Sequence, residues 1–140
     1  MDSKEKELIT EKSKDIRWGS ILQGYILSLV GTVVIGLPIF FLIERNVWLI
    51  AVTGTICLFA GGFIAARRAL NAELLNSAFV GVVYFSTLTI ILFANAIFDI
   101  LPDPLPGLPK GDSTFFMAWP IVQILASTLG GLIFAQRKKA

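Results

Sequence analysis

Histidine is absent from this 140-residue chain, cysteine occurs once, as Cys57, and charged residues make up only 16%. The lone cysteine excludes an intrachain disulfide. Without histidine beside it, no clustered Cys/His set remains to hold a metal ion. The usual general base is missing too, so acid–base or nucleophilic chemistry would need a carboxylate pair or an equivalent set. The acids near the apolar segments are scattered instead: Glu44 beside Arg45, Glu73 near Asn71, and Asp99, Asp103 and Asp112. Glu44 and Arg45 read as a solvated turn. The aspartates show no EF-hand-like order of ligands for calcium. No catalytic residue, cofactor or metal ligand is assigned, and an enzyme is not expected.

Charge is also missing from four long apolar stretches, 21–43, 47–66, 74–98 and 115–135, none of which contains Asp, Glu, Lys or Arg. Proton relays, ion-coupled transport and voltage sensing need ionisable groups inside the membrane, so a secondary transporter or pump is disfavoured. The stretches themselves are what the sequence does supply. At about 1.5 Å rise per residue each reaches about 30 to 38 Å, enough to cross a hydrocarbon core of about 30 Å. A composition of 55% hydrophobic residues, with mean hydropathy +0.76, would leave a soluble domain without enough polar surface to cover itself. The expected fold is an all-α, integral membrane bundle of four transmembrane helices. It has a charged tail over 1–17, a membrane domain over 18–136, a Pro-rich loop over 99–114 and a basic end over 137–140.

The basic residues are lopsided. Lys4, Lys6, Lys12, Lys14 and Arg17 precede the first span, Arg67 and Arg68 follow the second, and Arg137, Lys138 and Lys139 follow the fourth. The two opposite loops hold Arg45 and Lys110. The positive-inside rule then predicts both termini and the central loop in the cytoplasm, with the protein multi-pass in the cell's inner (cytoplasmic) membrane. Trp18 at the inner start of span one, and Trp48 and Trp119 at the outer starts of spans two and four, suit interfacial belts. The first stretch is too long for a signal-peptide h-region and is expected to stay as an anchor. Pro38 should kink or loosen the outer end of span one, while Pro120 falls near the opening turn of span four, where a missing N–H is tolerated.

Small residues recur at every fourth position: Ser20, Gly24, Ser28, Thr32 and Gly36 in span one; Thr53, Cys57, Gly61, Ala65 and Ala69 in span two; Ser127, Gly131 and Ala135 in span four. Residues four apart share a helix face, and in lipid such faces let neighbouring backbones approach and gain dispersion contacts. Ser20, Gly24, Ser28, Thr32, Gly36, Gly61, Gly62, Ala65, Gly130, Gly131 and Ala135 are therefore the candidate helix-packing or partner interface. One reading is packing inside the bundle; the sharper one is an oligomer seam on span one, whose row is longest. Besides scattered Ser and Thr, the polar residues within the spans include Gln23, Asn95 and Gln123; for Asn95 and Gln123, on the outer half, interhelical hydrogen bonding is preferred over a pore-lining role.

A short repeat links the halves. Gly61-Gly62-Phe63-Ile64-Ala65-Ala66-Arg67-Arg68 and Gly130-Gly131-Leu132-Ile133-Phe134-Ala135-Gln136-Arg137 share G-G-x-I-x-A-x-R, and Ser20/Gly24 parallels Ser77/Gly81. Paired spans that run in the same direction suggest two parallel-repeat helical hairpins. The loop after span three carries Pro102, Pro104, Pro106 and Pro109, which stiffen it toward polyproline geometry and forbid a helix. It is a rigid connector or, alternatively, an outer docking loop through Pro102, Leu105, Pro106 and Leu108. The tail balances five basic residues against the five acids Asp2, Glu5, Glu7, Glu11 and Asp15, and is expected to be solvated rather than a firm interfacial helix.

The segment Ala60-Gly61-Gly62-Phe63-Ile64-Ala65-Ala66-Arg67, followed by Leu75-Asn76-Ser77-Ala78-Phe79-Val80-Gly81, resembles small prokaryotic four-span membrane proteins of the YrzE-like group, which carry no established activity. The Gly-Gly…Ala…Arg element is also similar to part of the dimeric four-span fluoride channels, although their threonine-rich helix break and matching mid-span asparagine are missing here. Together these features lead to the expectation of a non-catalytic accessory or assembly subunit, or a homo-oligomeric scaffold. A small oligomeric channel or facilitator is the alternative. Expected partners are membrane lipids and an integral membrane protein or a second copy, with no nucleic acid.

Overall fold

A computed structural model describes residues 16–43, 47–69, 72–98 and 113–139. Among them the chain is entirely helical, with four helices long and apolar enough to cross a membrane. Span one runs Trp18–Leu42, span two Val47–Arg68, span three Glu73–Phe98 and span four Ser113–Lys139. The tail, the turn holding Glu44 and Arg45, and the loop with Pro102, Leu105, Pro106 and Leu108 lie outside the described residues.

Burial is distributed as lipid solvent demands. Ser20, Ser28, Ala65, Ala66, Ser77 and Ser127 are buried, whereas Leu22, Ile56, Ile90 and Ile121 are 54%, 64%, 68% and 60% exposed. In water this arrangement would leave apolar patches uncovered all round; in hydrocarbon it costs nothing, and small residues inside let the helices close up. The chain is a multi-pass membrane protein. Ile21, Leu58, Ala65, Val80 and Tyr84 form one buried cluster, against which Tyr25, Leu29, Phe79, Val83 and Leu88 pack.

Spans one and four each pack on both spans two and three, and two packs on three, but one and four do not meet among the described residues. The helices therefore sit as a rhombus with two and three on the short diagonal. Contacts at one edge join residues from all four spans: Arg17 to Arg68 and Asn76, and Lys138 to Glu73 at 2.8 Å. The two described ends of the chain thus share an edge, here termed the basic edge.

Two prolines shape the spans. Pro38 has no N–H to offer the carbonyl four residues earlier, and its ring crowds that carbonyl. The helix answers one turn upstream, where Thr32–Gly36 winds as a π-helical segment before α-helix resumes over Leu37–Leu42. Thr32 also bends its hydroxyl back to the Ser28 carbonyl at 2.7 Å, which loosens the same turn. Pro120 corrects the expectation drawn from the sequence: it lies inside span four and not at its opening turn. The helix begins at Ser113, a residue type suited to starting one, so two turns precede the proline.

Candidate functional site

The two Gly-Gly pairs organise the seams. Adjacent residues on a helix point about 100° apart, so a Gly-Gly pair can admit two neighbours at one level. In span two, a Cβ placed on Gly61 would overlap the Gly24 carbonyl and the Ser28 hydroxyl of span one, while one on Gly62 would overlap the Ser127 carbonyl of span four. In span four, a Cβ on Gly130 would strike the Phe59 carbonyl and lie 2.9 Å from the Phe63 nitrogen of span two, and one on Gly131 would strike the Ser77 side chain of span three. At these pairs the helices thus close on one another in the order one, two, four, three, backbone against backbone at the first two seams and backbone against the Ser77 side chain at the third. Phe63 and Phe134 close the two–four seam edge to face at 5.5 Å.

The repeat is not mirrored in these contacts. Gly61 and Gly130 align in sequence, yet Gly61 faces its own hairpin partner and Gly130 faces the other hairpin. The row of span one is likewise not uniform. Gly24 requires glycine, since a Cβ would sit 2.5 Å from the Gly61 carbonyl oxygen and 3.0 Å from Val80, but at Gly36 the nearest atoms would be at an ordinary 3.8 Å. Ser20, Gly24, Ser28 and Gly36 are buried and Thr32 is half-buried. This row is occupied within the chain by spans two and three, leaving the larger apolar residues of span one to face outward. Ala65 is fully buried, and Ala135 is half-buried near the end of span four.

Hydroxyl groups add a second, polar layer. Ser28 Oγ donates to the Gly24 carbonyl at 2.8 Å and lies 3.2 Å from that of Cys57, tying span one to span two. Tyr84 donates to Thr32 Oγ1 at 2.9 Å and Tyr25 to Thr87 Oγ1 at 3.1 Å, tying span one to span three twice. Gln123 is 2% exposed and its Oε1 has no hydrogen-bond partner among the described residues. The interhelical hydrogen bond expected of Gln123 is thus not made through this oxygen to any described residue. The Gln123 backbone stands where spans three and four close against each other, its carbonyl 3.0 Å from where a Cβ on Gly81 would lie. The Asn95 side chain lies outside the described part.

The basic edge gathers residues that spacing alone did not single out. Asn76, fully buried in the first turn of span three, accepts from the Arg17 backbone N–H at 2.8 Å and donates to the Ala72 carbonyl at 3.0 Å. It therefore pins the start of span one to the start of span three. Ala72 adopts φ 52°, a left-handed conformation that presents its carbonyl to both the amide and the side chain of Asn76. The Arg17 guanidinium donates to the Arg68 carbonyl at 3.3 Å, capping span two, and Arg68 donates to Gln23 Oε1. Arg17, Gly19, Ser20, Gln23 and Arg68 line an open cavity of about 570 Å³. The signal for Asn76 was present in the sequence, as an amide at the head of an apolar helix where an apolar straight-chain residue would serve propensity better.

Among the described residues no group of three or more His, Cys, Asp or Glu side chains could hold a metal ion. No protein-family profile, curated protein or solved structure matches the chain.

Proposed function

We propose that the protein is a non-catalytic subunit of the cell's inner (cytoplasmic) membrane that acts by binding. It is an accessory or assembly subunit of a larger integral membrane complex, or a homo-oligomeric scaffold. The observation that carries this reading is the division of labour between faces. The glycine seams are consumed in closing the monomer, and what remains outside is a broad apolar surface of Leu, Ile and Val suited to lateral contact. The ten basic residues of the tail, the central loop and the C-terminal end favour placing the basic edge in the cytoplasm. Purification of the tagged full chain in mild detergent tests the proposal. A stoichiometric membrane partner or a stable homo-oligomer is expected, and a bare monomer recovered from native membranes would overturn it.

A small oligomeric channel or facilitator is the second reading, favoured by the unpartnered Gln123 oxygen within span four. Solute-dependent flux through liposomes holding the purified protein, lost in Gln123→Leu, would establish this reading over the first.

A further inference from the structure

We propose that the basic-edge cavity is a binding site for one phosphate-bearing anion, with Arg17 and Arg68 as its cationic walls and Gln23 as the residue that positions Arg68. The inference needs only the membrane fold and not the accessory role.

Three observations converge on it. Both guanidiniums are fixed by neutral acceptors: Arg17 by the Arg68 carbonyl at 3.3 Å, and Arg68 by the Gln23 side chain. Neither charge is neutralised by these bonds, and among the described residues most of the five N–H donors on each group remain available. Glu73, the one carboxylate among the described residues, is engaged elsewhere by Lys138 at 2.8 Å. Finally, the two arginines border a cavity of about 570 Å³, a volume that admits a small polar group rather than closing on itself.

The chemistry together with the place at the membrane edge favours phosphate. A planar guanidinium presents parallel N–H donors that match two phosphate oxygens, and two such groups on adjacent spans can hold one phosphodiester or phosphomonoester. The cavity opens at the end of spans one and two beside Trp18, which is 64% exposed at the same edge, the level at which lipid phosphates lie. Basic pockets between transmembrane helices at this level recognise anionic headgroups. At Gly19, on the cavity wall, even an added Cβ would meet nothing within 4 Å, so the approach is open.

Native mass spectrometry of the full-length protein in a non-ionic detergent tests the site. Phosphatidylglycerol and phosphatidylcholine of equal chain length are titrated separately, and inorganic phosphate is added as competitor. One phosphatidylglycerol is expected to bind at least about tenfold more tightly than phosphatidylcholine, with the preference abolished in the Arg17→Gln/Arg68→Gln pair and retained in Lys139→Gln. Competition by millimolar phosphate would assign the site to a free anion, and its failure to compete would assign it to a lipid headgroup; either upholds the phosphate chemistry. Both headgroups carry the phosphodiester, but the two arginines repel the quaternary ammonium of choline, so equal binding of the two lipids would overturn the cationic site, as would an equal loss in Lys139→Gln. A preference that emerges only in Asp15→Asn would also overturn it, by making the tail's own carboxylate the occupant. If circular dichroism shows the double variant unfolded, Arg68→Lys decides: it keeps the charge, loses the fork, and should weaken the preference severalfold.

Discussion

Gly62→Ala adds one methyl group where the structure has no room for it. The new Cβ would lie 2.7 Å from the Ser127 carbonyl carbon and 2.8 Å from its Cα, against the 3.4 Å or more of ordinary contact. Both obstructing atoms belong to a helix backbone, which cannot rotate aside as a flexible side chain can. Spans two and four must therefore move apart along the whole seam, loosening the Gly130–Phe59 approach and the Phe63–Phe134 contact with it. Overpacking of this kind costs about 1–3 kcal/mol, and more when backbone must shift. Alanine returns up to about 1 kcal/mol through helix propensity. The net expectation is a loss of about 1–2 kcal/mol, roughly a tenfold fall in the folded fraction under marginal conditions. Reversible unfolding by SDS titration in bicelles, followed by circular dichroism, measures it. Gly19→Ala, whose Cβ would meet nothing within 4 Å, serves as control and should lose no stability, with a gain of up to about 1 kcal/mol from helix propensity. A Gly62→Ala protein as stable as the wild type or more so would refute the claim that backbone contact holds this seam.

Three further substitutions probe the polar groups. Asn76→Leu removes the acceptor for the Arg17 amide and the donor to Ala72; a loss of about 1–3 kcal/mol in the same titration is expected, with faster amide hydrogen exchange at the start of span one. Gln123→Met keeps the volume and deletes the unpartnered carbonyl oxygen, so stability should rise by about 1 kcal/mol, and a fall would mean that the amide has a partner of its own. Tyr84→Phe deletes one hydroxyl bond to Thr32 and nothing else; a cost near 0.6 kcal/mol is expected, and a change above about 2 kcal/mol would give that bond a larger role than one hydrogen bond in a membrane ordinarily has.

The four spans were legible because hydrocarbon imposes one demand on every residue of a crossing helix, and an uncharged stretch of the right length meets it whatever its neighbours are. The small-residue rows were legible for a related reason, since four-residue spacing is a property of one helix alone. Which helix each glycine faces is a property of the assembly. Gly61 and Gly62 both stand in the candidate interface, but their separate allegiance to spans one and four depends on a rhombus in which spans one and four do not touch among the described residues. The span-one row read equally well as an oligomer seam, and only the positions of spans two and three decide who fills it. Asn76 was hidden by distance along the chain, because its partner is the backbone of Arg17, 59 residues earlier. Pro120 was misplaced because the helix start at Ser113 lies before the apolar stretch, where hydropathy carries no signal.

The most direct test of the whole arrangement uses the single native cysteine. A Cβ on Gly31 would lie 3.5 Å from the Cys57 Cβ and 2.9 Å from its sulfur, a separation that a disulfide spans without backbone movement. Gly31→Cys in native membranes, oxidised with copper phenanthroline and probed with a maleimide-linked polymer, should lose both reactive thiols while remaining a monomer on a non-reducing gel. A covalent dimer, or two thiols that stay free under oxidation that cross-links a surface control, would contradict the seam between spans one and two on which the bundle is built.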